Sequence, residues 1–101
     1  MKTAYLCYCR DSRQAREIRQ AELQQHLKYI ESIMEQVLIA GALRDENDAV
    51  TGSVLIYDTD DREHALRLLK NDPYFTAGVW SDYDCKKMRL AAGQWIGGRG
   101  W

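Results

Sequence analysis

Apolar and polar positions change period along the chain, and each change marks an element. Thr3 to Cys9 carries apolar or aromatic side chains on both alternating faces: Tyr5, Cys7 and Cys9 on one, Ala4, Leu6 and Tyr8 on the other. That predicts a short central strand, covered on both sides. From Asp11–Ser12 to about Glu35 the period changes to a helical one. Ile18, Leu23, Leu27, Ile30, Ile33, Met34 and Val37 fall toward one side, and Arg, Gln, Glu and Lys fill the rest. Asp11 or Ser12 is the expected cap. The continuous apolar run Val37–Leu43 predicts a second strand. The polar loop Arg44–Asp48 joins it to a third, with Val50–Ser53 leading into Val54–Tyr57.

Asp58–Asp61 ends that strand and opens a second helix, where Asp60 and Glu63 have capping-box spacing. Ala65, Leu68 and Leu69 form its buried stripe. Pro73, the only proline, forbids continuation beyond Lys70–Asn71. The stretch Asn71–Gly78 turns the chain into a fourth strand, Val79–Cys85. Lys86–Trp101 shows no clear period and is expected to be an irregular tail.

The resulting order is β-α-β-β-α-β, an α+β, ferredoxin-like plan: an antiparallel sheet with two helices on one face. The other face is left to the tail or to a second copy of the chain. Leu38, Ala40, Val54, Ile56 and Trp80 are its expected lining. A homodimer that sandwiches two sheets is the simplest way to cover it.

Length and charge narrow the functional classes. The 101 residues form one domain, residues 1–101, with a core at about 3–85. A net charge of −1 gives no overall field toward nucleic acid or an anionic membrane. No apolar run approaches the roughly 20 residues of a membrane span, and the N-terminus lacks the pattern of a signal peptide. The three cysteines, Cys7, Cys9 and Cys85, read as small core residues in a reducing compartment. A cytoplasmic location follows as the expectation.

Candidate chemistry is sparse. His64, in the first turn of the second helix, reads as a surface residue. His26 lies three residues after Leu23 and four before Ile30, on the apolar side of the long helix. It is either a core histidine bonded to a backbone carbonyl or an acid/base group with a carboxylate partner. Tyr29 shares its side of the helix and offers a hydroxyl to the same space. Asp72, before Pro73, is either a turn residue bonding local amides or that carboxylate. The sequence has no phosphate loop, no metal-ligand spacing and no nucleophile elbow, so neither cofactor nor metal is expected.

Four stretches carry a family resemblance. They are His26-Leu27-Lys28-Tyr29-Ile30, Leu38-Ile39-Ala40-Gly41-Ala42-Leu43, Thr51-Gly52-Ser53-Val54-Leu55-Ile56 and Asp72-Pro73-Tyr74-Phe75-Thr76-Ala77-Gly78-Val79. Together they resemble the YciI-like (YCII-related) proteins, small domains of the dimeric α/β barrel type, over roughly residues 3 to 85. The resemblance implies a His-Asp pair, His26 with Asp72, in a pocket, and Arg19 where some members carry an arginine seven residues before the histidine. Some members are implicated in dechlorinating hydroxylated aromatics. The chain departs from the family at Leu23 and Ala42, in a shorter segment between His26 and Ala40, in the missing glycine after the first helix, and in its tail.

Three readings remain open at this level. One is a small enzyme using His26 as acid/base and Asp72 as its orienting carboxylate, with Tyr29, Tyr74 and Arg19 binding a small molecule, aromatic ones among the expected classes. The second is a non-catalytic ligand-binding or accessory module. The third gives both residues structural roles alone.

Overall fold

The computed structural model describes residues 1–99. Gly100 and Trp101, the end of the expected tail, lie outside the described residues. Strand β1 (Lys2–Asp11) is followed by helix α1 (Ala15–Ser32) and a single 3₁₀ turn (Met34–Gln36). Strands β2 (Val37–Arg44) and β3 (Val50–Tyr57) come next, then α2 (Arg62–Lys70), the one-turn helix α3 (Pro73–Thr76) and β4 (Trp80–Leu90). The four strands form one sheet in the order β2-β3-β1-β4, with every neighbouring pair antiparallel. The fold is therefore ferredoxin-like. No described helix is long and apolar enough to cross a membrane.

The core lies between the sheet and the helices. Tyr5, Cys7 and Cys9 of β1 alternate onto this side with Leu55 and Tyr57 of β3, against Ala65, Leu68 and Leu69 of α2. The periodicity of α2 thus matches its burial. Its cap is Asp61, whose carboxylate accepts the Glu63 amide, one residue later than the expected Asp60. Neither Asp11 nor Ser12 caps α1. Asp11 ends β1, and the Ser12 hydroxyl donates to the Gly78 carbonyl at 2.8 Å.

Helix α1 departs most from its pattern. Ala15 and Ile33, near its ends, are buried, but Leu23 and Leu27 are 42% and 50% exposed. The helix packs chiefly on α3, so its middle stands away from β2 and β3. The expected stripe of contacts becomes one wall of a cavity.

Two bulges correct the expected lining of the open sheet face. The β2–β3 register shifts between Val37 and Ile39, and Ala40 then stands opposite Leu55 on the helix side. A second shift at Arg10/Asp11 puts Trp80 opposite Asp11, also on the helix side. Each bulge adds a residue to one strand and reverses the parity beyond it. Leu38 and Ile56 do lie on the open side, where they line a cleft of about 440 Å³ together with Ile39, Met88, Leu90 and Trp95. The final strand runs on to Leu90, past the expected end at Cys85. Beyond it the tail forms a small hairpin, β5 (Ala92–Gly93) with β6 (Gly98–Arg99), that bounds this cleft.

Cys7 and Cys85 face each other across β1 and β4 and are joined as a disulfide, with Cα atoms 4.2 Å apart. Cys9 stays free and buried. The expectation of three reduced core cysteines is corrected for two of them. Pattern alone gave no pairing, because the register that opposes them arises only when the chain ends meet.

Gly52 marks a close approach of β3 to β1: a Cβ there would run into the Cys9 carbonyl oxygen, while one at Gly41 would meet open space. Gly52→Ala is therefore expected to destabilise the protein by roughly 1–3 kcal/mol, and Gly41→Ala to stay within about 0.5 kcal/mol of the parent. Urea unfolding of the two variants checks the contrast.

Candidate functional site

The site is built where α1 passes over α3. Asp72 follows α2, and Pro73 holds it in an extended conformation, φ −68° and ψ 129°. Its Oδ1 accepts the Tyr74 amide at 2.9 Å and so caps α3. The same oxygen lies 2.8 Å from Nδ1 of His26. The turn role and the pairing are therefore simultaneous properties of one carboxylate. Asp72 is fully buried, and the His26 side chain is 16% exposed.

The partners fix the imidazole's orientation. An ionised carboxylate only accepts hydrogen bonds, so Nδ1 carries the proton and Nε2 is the remaining basic nitrogen. The ring also lies flat on Tyr74, with centroids 3.8 Å apart and planes within 3°. Tyr74 in turn meets the edge of Trp80 at 6.0 Å. Bond and stack together leave the imidazole little freedom to rotate.

Arg19, two turns before His26 on α1, lies with its guanidinium 5.3 Å from the Tyr74 ring centre. Its charge is already matched: Nε and Nη2 reach the two Asp11 oxygens at 3.0 and 2.7 Å. Nη2 also donates to Ser53 Oγ at 2.9 Å, and that oxygen accepts from the Trp80 indole at 3.3 Å. Arg19 thus fastens α1 to β1 and β3 and is no unpaired cation.

A cavity of about 290 Å³ opens beside these groups. Arg19, His26, Ser53, Tyr74 and Trp80 supply its polar or aromatic wall, and Leu23, Leu27, Ile30, Ala40 and Leu55 its apolar one. Few polar groups converging on a largely apolar concavity fit a small organic molecule. No group of three or more His, Cys, Asp or Glu side chains among the described residues could hold a metal ion.

Of the sequence candidates, His26, Asp72, Tyr74 and Arg19 converge here. Tyr29 does not. Its hydroxyl donates to the Leu68 carbonyl at 2.6 Å, against α2 and away from the cavity lining. A shared helix side put it near His26, but its hydroxyl is drawn to the α2 backbone instead of the cavity. Burial, and secondarily the charge of Asp72, raises its pKa. Asp11, Ser53 and Trp80 were not expected at the site. Strand alternation carried a signal for the first two, since Asp11 continues the series Tyr5, Cys7, Cys9 and Ser53 continues Leu55, Tyr57.

The sequence model of the YCII-related domain matches residues 3–89. The chain belongs to this family. No curated protein matches it in sequence. Among solved structures, the YCII-related chain is similar to 5-chloro-2-hydroxyhydroquinone dehydrochlorinase (TftG) from Burkholderia phenoliruptrix AC1100, in complex with 2,5-dihydroxybenzoquinone. The TM-score is 0.74 at 24% identity, covering 90% of this chain and 96% of that one. A second similar structure is protein Atu4242 from Agrobacterium tumefaciens, with TM-score 0.53 and 13% identity over 88% and 93% of the two chains. At these identities both likenesses establish the fold.

The double use of Asp72 Oδ1 has a measurable signature. Asp72→Ala removes the acceptor of both bonds and is expected to cost roughly 3–5 kcal/mol. Asp72→Asn keeps an acceptor for the Tyr74 amide and is expected to cost clearly less. Equal losses in urea unfolding would mean that the cap contributes nothing.

Proposed function

We propose that this YCII-related protein is a small enzyme in which His26 moves a proton and Asp72 holds its tautomer and stabilises the imidazolium. The observation that supports this is the 2.8 Å contact between a fully buried carboxylate and a cavity-lining imidazole. In the reaction Nε2 takes a proton from the bound molecule. The Asp72 charge stabilises the cation formed, and the proton is returned to substrate or solvent. The resulting class is proton transfer leading to elimination, isomerisation or hydrolysis.

The substrate read from the lining is small, flat and largely apolar, with one or two hydroxyl groups. Tyr74 and Trp80 offer ring faces and edges, and the aliphatic wall of α1 closes the other side. Because Arg19 is neutralised by Asp11, a neutral phenolic molecule suits the site better than a carboxylate or phosphate. Similarity to a dehydrochlorinase bound to a dihydroxybenzoquinone supports including chlorinated hydroxyaromatics. Turnover of a panel of chlorinated and unchlorinated hydroxybenzenes tests the reading. His26→Asn is expected to lower kcat by about 10²–10⁴-fold. Absence of turnover by the wild-type protein with every member, or activity that survives the substitution, overturns it.

A second reading, a non-catalytic ligand-binding module, is favoured by one observation: Asp72 Oδ1 already serves as the cap of α3, so its position has a use without catalysis. A ligand that raises the melting temperature and is recovered unchanged is the outcome that reading requires.

The assembly we propose is a homodimer across the open sheet face. Tyr8 and Met88 are each 37% exposed, and Val54 and Ile56 of β3 are only half-buried. Val54→Asp is expected to give a monomer in light-scattering chromatography where the parent is a dimer; a monomeric parent contradicts the assembly. A cytoplasmic location belongs to the same reading, with the Cys7–Cys85 disulfide as the observation that weighs against it.

A further inference from the structure

Two buried side-chain polar atoms among the described residues lack a hydrogen-bond partner: the second oxygen of Asp72, Oδ2, and the hydroxyl of Tyr57. Both residues are 0% exposed. One of these atoms can only accept, and the other can donate. Leaving either unsatisfied in a core is costly. Tyr57 ends β3, facing Tyr5 of β1, on the same side of the sheet as Leu55 and Cys9.

The two groups also share an electrostatic environment. Burial raises the Tyr57 phenol well above its ordinary range, and the charges of Asp72, then Tyr29 and Cys9, would push it further the same way. Burial likewise pushes the Cys9 thiol up to about 12, with Asp72 the next contribution. Cys9 from β1, Tyr29 from α1 and Tyr57 from β3 thus all feel the Asp72 charge while neutral and protonated. The Tyr29 hydroxyl already donates to the Leu68 carbonyl, and a thiol is a weak donor. Tyr57 is the strong donor left.

We propose that Tyr57 is a positioning residue of the site, its hydroxyl serving Asp72 Oδ2 directly after a small ring movement or across one buried water. This contact would set how much of the Asp72 charge is directed at His26. A donor on Oδ2 draws negative charge away from Oδ1, weakens the hold on the imidazolium and keeps His26 neutral and ready to accept a proton. The inference deepens the acid/base reading of the same site, but its test needs no turnover.

The experiment is Tyr57→Phe, which removes one atom, with the His26 ring nitrogens observed by ¹⁵N NMR at fixed pH. Without the donor, the protonated fraction of His26 is expected to rise about threefold or more. An unchanged fraction overturns the proposal. Stability gives a second outcome of opposite sign for the two cases. If the hydroxyl serves Asp72, its removal destabilises the protein. If it is an isolated buried hydroxyl, Tyr57→Phe is neutral or stabilising, and the proposal is wrong. Should Tyr57→Phe fail to fold, 3-fluorotyrosine at position 57 keeps the ring and sharpens the donor. It is expected to lower the protonated fraction, and no change there also overturns the proposal. A moved fraction with no substrate turned over contradicts the enzymatic reading alone. Lost turnover with an unmoved fraction contradicts the role of Tyr57 alone.

Discussion

One carboxylate oxygen joins the two halves of this molecule. Asp72 Oδ1 accepts the amide that starts α3 and the imidazole carried by α1. The first bond belongs to the local chain and follows from Asp-Pro chemistry. The second reaches 46 residues back along the sequence. Because Asp72 is wholly buried, its charge is poorly solvated, and each donor matters more than it would at the surface. The position of α1, the stacking of His26 on Tyr74 and the shape of the cavity depend on that shared acceptor.

The arrangement explains why α1 forgoes apolar contact. A helix with Leu23 and Leu27 on its inner side would ordinarily settle onto the sheet and bury them. Here α3 is wedged beneath it, and two polar ties hold it from opposite ends of the gap: His26 to Asp72, and Arg19 to Asp11 and Ser53. The exposed leucines are consequently the wall of a binding space. Stability given up in packing reappears as a preformed cavity, the arrangement expected of a site that must admit a ligand without large rearrangement.

Much of the fold was legible because it rests on local period. The strand alternation in β1 and β3 and the helical stripe of α2 each named the residues that became core. Pro73 located the end of α2 and the turn beyond it. What escaped is set by register and by contacts between distant segments. Bulges in β2 and between β1 and β4 reversed Ala40 and Trp80, the facing of Cys7 with Cys85 needs both chain ends, and Tyr29 was diverted from the cavity by a carbonyl of α2, 39 residues away in sequence. His26 and Asp72 were nameable as candidates from their places on the helix and before Pro73, and their pairing through motif resemblance. Asp11 and Ser53 were nameable only from alternation, and nothing local tied either one to Arg19.

The central claim is that Asp72 fixes the tautomer of His26 and leaves Nε2 basic toward the cavity. With only two histidines in the chain, long-range ¹H–¹⁵N correlation spectra at mildly alkaline pH read this directly. The account predicts a single neutral tautomer for His26, protonated at Nδ1, that gives way to a mixture in Asp72→Asn. A proton resident on Nε2, or a tautomer balance that Asp72→Asn leaves untouched, contradicts it.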